Sequence, residues 1–187
     1  MGYQTITRKG NIDSAHRVMD HGSKCFNLHG HTYLYELTFG FDTVDNIGFK
    51  IDFADIKAIG VKWLEDAFDH GTILNPNDQT LIRACNIGHD GIPYKLWTMA
   101  LNNLEYCNPT AENISKEMLL GLREIFKEHD GLAPVHIRLF ETPNCFTDCT
   151  LKSISEKESD NFLKHRTPYL DNWKKENKDV IAPSLNK

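Results

Sequence analysis

The clearest pattern in the chain is an alternation of apolar and polar side chains over residues 28–41. Successive side chains of a β-strand point to opposite faces, so this period of two predicts a strand with one buried face. The buried face begins with two histidines and continues with aromatic and aliphatic residues: His29, His31, Tyr33, Tyr35, Leu37 and Phe39.

Weaker patterns predict two more strands. Residues 4–18 are expected to form a first strand, and residues 134–142 a last one. Residues 79–108 give no clear periodicity. Within them, residues 87–93 carry glycine and proline in a polar setting, which is typical of a surface loop.

Two helices are predicted from capping residues and apolar spacing. Asp52 is a good N-cap, and apolar residues recur three and four positions apart from there to about Phe68. Thr110 is the expected N-cap of the second helix, which should end at Asp130-Gly131. The buried stripe of this second helix consists of Ile114, Met118, Leu122 and Ile125.

Length and composition indicate one globular domain with an appendage. The chain has 187 residues, of which 40% are hydrophobic and 25% charged. We assign residues 1–150 to the domain and residues 151–187 to a charged C-terminal extension of unassigned role. The extension is expected to contain a short helix, around residues 158–165 or 170–178, and to dock through its aromatic residues Phe162, Tyr169 and Trp173.

Charge and cysteine content exclude several classes of protein. No apolar run is long enough for a membrane span, and the N-terminus has no signal-peptide core, so a cytoplasmic protein is expected. The net charge is −5, which argues against a nucleic-acid surface. Five cysteines with uneven spacing do not indicate the disulfide framework of a secreted protein.

The candidate chemistry is concentrated in the segment Cys25-Phe-Asn-Leu-His29-Gly30-His31, with His16 upstream of it. Two imidazoles on one strand face and a third nearby are a natural start for a zinc site. A single histidine of this kind is more commonly a structural or surface residue, so the prediction depends on the combination. Cys25 is either a reactive group beside the metal or a fourth ligand that closes the site.

Glu141 ends an otherwise apolar face of the last predicted strand. Burying a carboxylate without a partner costs on the order of several kcal/mol. Glu141 therefore either lies at the end of the strand in contact with water or accepts hydrogen bonds from a ligand.

Several motifs, taken in order, resemble those of the 6-pyruvoyltetrahydropterin synthase / 6-carboxytetrahydropterin synthase family. The resemblance covers roughly residues 4–149, and the joint order of the motifs is more specific than any one of them. The motifs are Ser14-Ala15-His16-Arg17, Cys25-x3-His29-Gly30-His31, Ile51-Asp52-Phe53, Asp69-His70, Asn108-Pro109-Thr110-Ala111-Glu112-Asn113 and Glu141-Thr142.

This resemblance implies an α+β tunnelling fold, an antiparallel sheet with two helices packed on one face that oligomerises into a barrel. It implies a homo-oligomer, expected as a hexamer formed by a dimer of trimers, with the active site at a subunit interface. It also implies that His16, His29 and His31 bind Zn²⁺.

The resemblance further implies roles for the other site residues. Cys25, Asp69 and His70 would be catalytic, and Glu141 would anchor the pterin ring. Thr110, Glu112 and Lys24 are further candidates for substrate binding. Arg17 is a candidate for the triphosphate, although a solvated surface role suits Arg17 and Lys24 at least as well.

The implied reaction converts 7,8-dihydroneopterin triphosphate to 6-carboxy-5,6,7,8-tetrahydropterin, acetaldehyde and triphosphate. The three-residue gap between Cys25 and His29 resembles the carboxy-type enzymes of queuosine biosynthesis. The alternatives are a pyruvoyl-forming or related side-chain lyase of the same family, and a zinc-stabilised pterin-binding module without catalysis. The chain departs from the family pattern at Ile12, where an aromatic residue is common, and in residues 146–149, which lack the usual tyrosine.

Overall fold

A mixed sheet of six strands forms the centre of the structure, a computed structural model that describes residues 3–185. Across the sheet the strand order is β4-β3-β1-β2-β5-β6. The bounds are Gln4–His16 for β1, His29–Phe41 for β2, Gly71–Leu74 for β3, Leu96–Thr98 for β4, Leu132–Thr142 for β5 and Cys145–Thr150 for β6.

The long strands of the sheet pair antiparallel, as the sequence predicts. β1 pairs with β2 along its whole length, β2 pairs with β5, and β5 pairs with β6. The two short strands β3 and β4 extend the β1 edge of the sheet in parallel, and the sequence pattern does not predict them. The α+β prediction is confirmed, with a mixed rather than wholly antiparallel sheet.

The first predicted helix is present, with an irregular middle. Asp52 caps it by accepting a hydrogen bond from the Ala54 amide at 2.7 Å. The segments run in sequence as α1 at Phe53–Ile56, a π-helical turn at Lys57–Val61 and α2 at Lys62–Phe68. The π turn is a local widening of the helix that residue spacing alone does not predict.

The second predicted helix, α4, spans Ala111–Ile125 and is capped by Thr110. It ends earlier than the sequence predicts, and a turn through residues 126–131 leads into β5. It packs closely on α2: the ring of Trp63 lies so near Gly121 that a Cβ atom at this position would overlap it. All four residues of the predicted apolar stripe are buried: Ile114, Met118, Leu122 and Ile125.

Residues 79–108, which the sequence pattern left unassigned, contain one helix and one short strand. The helix α3 spans Gln79–Ile87 and is capped by the Asp78 side chain. The predicted surface loop follows it and leads into β4. The helix is short and mostly exposed, so its sequence lacks the long apolar stripe that makes a helix recognisable.

The C-terminal extension forms a long helix rather than the short one predicted. Helix α5 spans Glu156–Glu176, with Pro168 in its interior, and α6 spans Lys178–Leu185. The predicted docking is confirmed, because Phe162 and Trp173 are buried in the main core, whereas Tyr169 remains partly exposed. No helix in residues 3–185 is long and apolar enough to cross a membrane.

A buried polar cluster joins α5 to the rest of the core. Glu117 on α4 is fully buried and accepts hydrogen bonds from Trp97 Nε1 at 2.6 Å and from the Ala100 amide. Arg166 on α5 donates to the Thr98 carbonyl, and its guanidinium lies 4.0 Å from the centre of the Trp97 ring. Burial raises the pKa of the Glu117 carboxyl, while the positive charge of Arg166 lowers it. Arg166 therefore stabilises the charged form of Glu117, whose burial without a cation would be energetically unfavourable.

We expect Arg166→Met to lower the free energy of unfolding by about 2–3 kcal/mol, since it removes a charged hydrogen bond and the charge facing Glu117. Urea denaturation measures the change. The matched control is Lys174→Met on the same helix, because the ion pair of Lys174 within residues 3–185 is with the exposed Asp171 and such pairs contribute about 0.5 kcal/mol or less. Equal losses in the two variants would contradict the role of Arg166.

Candidate metal centre and active site

Three histidines converge because of the register between β1 and β2. His16 pairs directly with His29 across the ladder, and His31 lies two residues further along β2 on the same face. His16 Nε2 and His29 Nε2 are 3.2 Å apart, and the ligand atoms of the three residues all lie within 4.8 Å of one another. The structure thus brings together the three predicted metal ligands.

Backbone carbonyls orient two of these rings. His16 Nδ1 lies 2.7 Å from the Pro109 carbonyl oxygen, and His29 Nδ1 lies 2.7 Å from the Asn27 carbonyl oxygen. A carbonyl oxygen can only accept, so each Nδ1 carries the proton and each Nε2 keeps a free lone pair toward the cluster. His31 Nε2 is buried and has no hydrogen-bond partner in the described part of the chain. This donor set fits a divalent metal that accepts imidazole nitrogen.

Two of the histidines, His16 and His31, are held in their neutral forms. Burial lowers the pKa of His16 to about 4, the Pro109 hydrogen bond opposes this, and the nearby His29 and His31 lower it further. Burial also lowers the pKa of His31, against the attraction of Glu141. A neutral imidazole is the form that binds metal, so the fold prepares these side chains for ligation near pH 7.

Glu141 borders the histidine cluster. Its Oε1 lies 3.5 Å from His16 Nε2 and 3.9 Å from His31 Nε2, while its side chain is 31% exposed. The two possibilities raised by the sequence are therefore compatible, since the carboxylate both contacts solvent and faces the site.

Cys25 lies in the 3₁₀ turn Lys24–Phe26, which precedes β2, and its thiol is free and half-buried. In residues 3–185, the one group of metal-ligating side chains that converges within 4.8 Å contains the three histidines and not Cys25. The convergent set therefore has three ligands, and the geometry argues against Cys25 as a fourth.

Asp69 and His70 form a pair at the end of α2. Asp69 Oδ2 lies 2.7 Å from His70 Nδ1, and Asp69 Oδ1 accepts from the Asp13 amide at 2.7 Å. The His70 amide donates to the Asp13 carbonyl at 2.7 Å, which holds His70 at a positive φ of 52°. Hydrogen bonds from Asp13 and His70 lower the pKa of Asp69 in spite of its partial burial. The pair is thus a preformed carboxylate–imidazole dyad.

His70 of the dyad and one histidine of the cluster line the same open cleft. The side chain of His70 is 79% exposed, and the cleft lining also includes Ser14, Gly30, His31 and Thr32. Ser14 pairs with His31 across the β1–β2 ladder, so both belong to the histidine face of the sheet, whereas Gly30 and Thr32 belong to the other face. The cleft is therefore lined by residues from both faces.

The structure does not bring the remaining predicted site residues into the histidine cluster. The Thr110 hydroxyl is used in capping α4, where it accepts from the Asn113 amide at 3.4 Å. Glu112 and Lys24 are both exposed. Arg17, a candidate for the triphosphate, instead forms an ion pair with the buried Asp78 at 2.7 Å.

Comparison with known proteins assigns the chain to a family. Residues 5–152 match the family described as 6-pyruvoyl tetrahydropterin synthase. The chain belongs to the 6-pyruvoyl tetrahydropterin synthase family. This confirms the predicted resemblance and the prediction that the chain is an enzyme, a lyase of the pterin synthase kind.

Individual members of the 6-pyruvoyl tetrahydropterin synthase family support the assignment. A 6-carboxy-5,6,7,8-tetrahydropterin synthase from Rickettsia bellii is 35% identical over 142 residues, covering 76% of this chain and 96% of its own. The protein of the same name from Rickettsia conorii is 34% identical over 148 residues, with the same coverage. The structure of Caenorhabditis elegans 6-pyruvoyl tetrahydropterin synthase has a TM-score of 0.54 at 19% identity, covering 80% of this chain and 96% of that chain. The last comparison supports the tunnelling fold.

The structure adds residues that sequence reasoning did not place in the site. Tyr33 is fully buried, its ring centre lies 5.4 Å from that of His31, and its hydroxyl has no hydrogen-bond partner among the described residues. Its position on the histidine face of β2 was the available signal. The Pro109 and Asn27 carbonyls gave no signal, because any residue type carries one.

We expect the metal-free protein to lose stability as the pH falls from about 6.5 to about 4. The unfolded chain takes up a proton at His16 in this range while the folded chain resists it, so protonation favours unfolding by up to about 3 kcal/mol. Denaturant titrations of chelator-treated protein across this range measure the slope. His16→Gln should flatten it, and an unchanged slope in that variant would contradict the assignment.

Proposed function

We propose that this protein is a zinc-dependent 6-carboxy-5,6,7,8-tetrahydropterin synthase. Its substrate is 7,8-dihydroneopterin triphosphate, and its products are 6-carboxytetrahydropterin, acetaldehyde and triphosphate, as a step of queuosine biosynthesis. The observation that carries the proposal is the convergence of the His16, His29 and His31 ligand atoms within 4.8 Å in a member of this family.

The three histidines would hold Zn²⁺ through their Nε2 atoms. Three protein ligands leave an open coordination position, and bound zinc would polarise the hydroxyl groups of the substrate side chain and so acidify the adjacent C–H bonds. The fold contributes the orientation of the ligands, because the Pro109 and Asn27 carbonyls hold the Nδ1 protons of His16 and His29 away from the site.

Glu141 would bind the pterin ring. An aminopyrimidine edge presents two N–H donors, and a carboxylate can accept both in a charge-assisted pair. The partial exposure of Glu141 and its position 3.5 Å from His16 Nε2 support this role, since a ring held there brings its side chain to the histidine cluster.

Cys25 and the Asp69–His70 dyad would move protons on the substrate side chain. Cys25 would accept a proton from carbon as the thiolate, a form favoured near a cation. His70 would exchange a proton with the substrate, while Asp69 holds its Nδ1 and stabilises the charged ring.

The dyad would act in the site of a neighbouring copy of the chain. The support is the 79% exposure of the His70 side chain, which leaves the imidazole accessible to another copy. A homo-oligomer, with the hexamer of two trimers as the expected form, would bring the dyad of one copy to the cluster of another. Thr110, Glu112 and Lys24 remain candidates for substrate contacts within this arrangement.

The choice of the carboxy product over the pyruvoyl product has two supports. The gap between Cys25 and His29 is three residues, and the relatives from Rickettsia carry the carboxy name. The family description carries the pyruvoyl name, so the pyruvoyl-forming reaction is the competing function.

Product identification decides between these reactions. We expect the purified zinc-loaded protein to convert 7,8-dihydroneopterin triphosphate into 6-carboxytetrahydropterin with release of one acetaldehyde per turnover. Mass spectrometry identifies the pterin, and trapping with a hydrazine reagent quantifies the aldehyde. A pyruvoyl pterin without acetaldehyde would replace our proposal with the competing reaction, and an unaltered substrate would favour a binding module.

Two variants separate metal binding from proton transfer. Cys25→Ala should keep one zinc per chain and lose at least about 100-fold in kcat, because general base catalysis contributes about 10²–10⁴-fold. His31→Ala should lose both zinc and activity, since it removes one of three ligands. Zinc analysis by plasma emission, together with turnover, measures both. Loss of zinc in Cys25→Ala would make Cys25 a ligand and contradict its assigned role.

A further inference from the structure

The loop that carries Cys25 is joined to the rest of the chain at few points. Residues 18–25 close on themselves through a hydrogen bond from the Val18 amide to the Cys25 carbonyl at 2.8 Å. In the described part of the chain, the hydrogen bonds between this loop and distant segments all join Met19 or Asp20 to Asn108 or Tyr106. The position of the thiol therefore depends on this junction.

The side chain of Asn108 forms most of the junction. Its Oδ1 accepts from the Met19 amide at 3.0 Å, and its Nδ2 donates to the Met19 carbonyl at 2.9 Å, so it pairs with both backbone groups of one residue. The same amide accepts from Asn75 Nδ2 at 2.8 Å and donates to the Tyr106 hydroxyl at 3.0 Å. Both donors and both acceptor positions of the amide are thus used, which fixes its orientation.

Asn108 is itself held in place. Its carbonyl accepts from Asn113 Nδ2 in the first turn of α4 at 2.9 Å, and its partner Asn75 is fully buried. Its neighbour Pro109 provides the carbonyl that orients His16. One dipeptide therefore contacts both the thiol loop, through the Asn108 side chain, and the first histidine, through the Pro109 backbone.

We propose that Asn108 is a positioning residue that fixes the loop of residues 18–25, and with it the Cys25 thiol, relative to His16. The inference rests on the proposed function for its catalytic consequence. A displacement of about 1 Å in a reacting group can cost about 100-fold in rate. Asn108 does not touch the substrate in this role and acts only through Met19 and the loop.

The test compares three variants with the wild-type protein. Asn108→Ala removes both hydrogen bonds between Asn108 and Met19 and leaves those of the Tyr106 hydroxyl, while Asn108→Asp keeps the acceptor oxygen and loses the donor to the Met19 carbonyl. Asn102→Ala is the matched control, because Asn102 lies in the same segment and its side chain donates to the Tyr106 carbonyl at 3.0 Å, with no hydrogen bond to residues 18–25 among the described residues. Zinc content and thermal unfolding verify that each variant is folded and loaded.

The first readout is the position of the thiol, measured without substrate. Iodoacetamide labelling followed by peptide mass spectrometry gives the ratio of Cys25 to Cys145 modification, and the exposed Cys145 on β6 serves as an internal reference. We expect the ratio to rise at least fivefold in Asn108→Ala, to rise less in Asn108→Asp, and to stay unchanged in Asn102→Ala. Hydrogen exchange at the Val18 amide should accelerate in the same order.

The second readout is the division of the effect between kcat and KM. We expect Asn108→Ala to lower kcat about 100-fold with KM within about threefold and zinc content unchanged, because the histidine ligands and Glu141 stay in place. A general loss of structure would instead lower zinc content and the active fraction together.

The outcomes separate the two claims. A folded Asn108→Ala protein with a labelling ratio within twofold of wild type would overturn the positioning role. If Asn108→Ala does not fold, the same criterion applies to Asn108→Asp. No turnover in the wild-type protein would overturn the proposed function alone, since the labelling ratio does not require substrate.

Discussion

The antiparallel pairing of β1 with β2 is the constraint on which the site depends. It places His16 directly across from His29, and the alternation of side chains then brings His31 to the same face. A slip of one residue would turn His29 and His31 to the opposite face and separate them from His16. The register is fixed by the buried residues that continue this face of the two strands: Ile12, Tyr33, Tyr35, Leu37 and Phe39. The same strand register therefore determines both the packing of the core and the positions of the three histidines.

Atoms from distant parts of the chain complete what the strand pair begins. The Pro109 carbonyl lies 93 positions after His16 and sets its tautomer, while the Asn108 side chain holds the loop before β2. Both contacts come from the segment that leads into α4, whose buried face packs against the sheet. The site thus has its candidate ligands on strands, where positions are rigid, and its thiol on a loop that the side chains of Asn108 and Tyr106 hold in place.

The C-terminal extension adds a layer to the family fold. The family match ends at residue 152, yet α5 buries Phe162, Leu170 and Trp173 in the same core as the strands. It also supplies Arg166 opposite Glu117, and Trp173 Nε1 donates to Asp66 on α2 at 2.8 Å. The extension is consequently part of the packing of this chain, in keeping with the aromatic residues that led us to expect docking.

The sequence by itself determined the elements whose signals are local. The alternation along β2, the caps Asp52 and Thr110, and the His-x-His pair all report burial and backbone geometry within a few residues, and the structure has each of them. Only the tertiary structure decided that α5 is continuous through Pro168, that β3 pairs with β1 and β4 with β3 in parallel, and that His70 lines a cleft together with His31. It alone brought Asn108 to Met19 as well. These features depend on contacts between segments that are far apart in the sequence, and side-chain periodicity carries no information about such contacts.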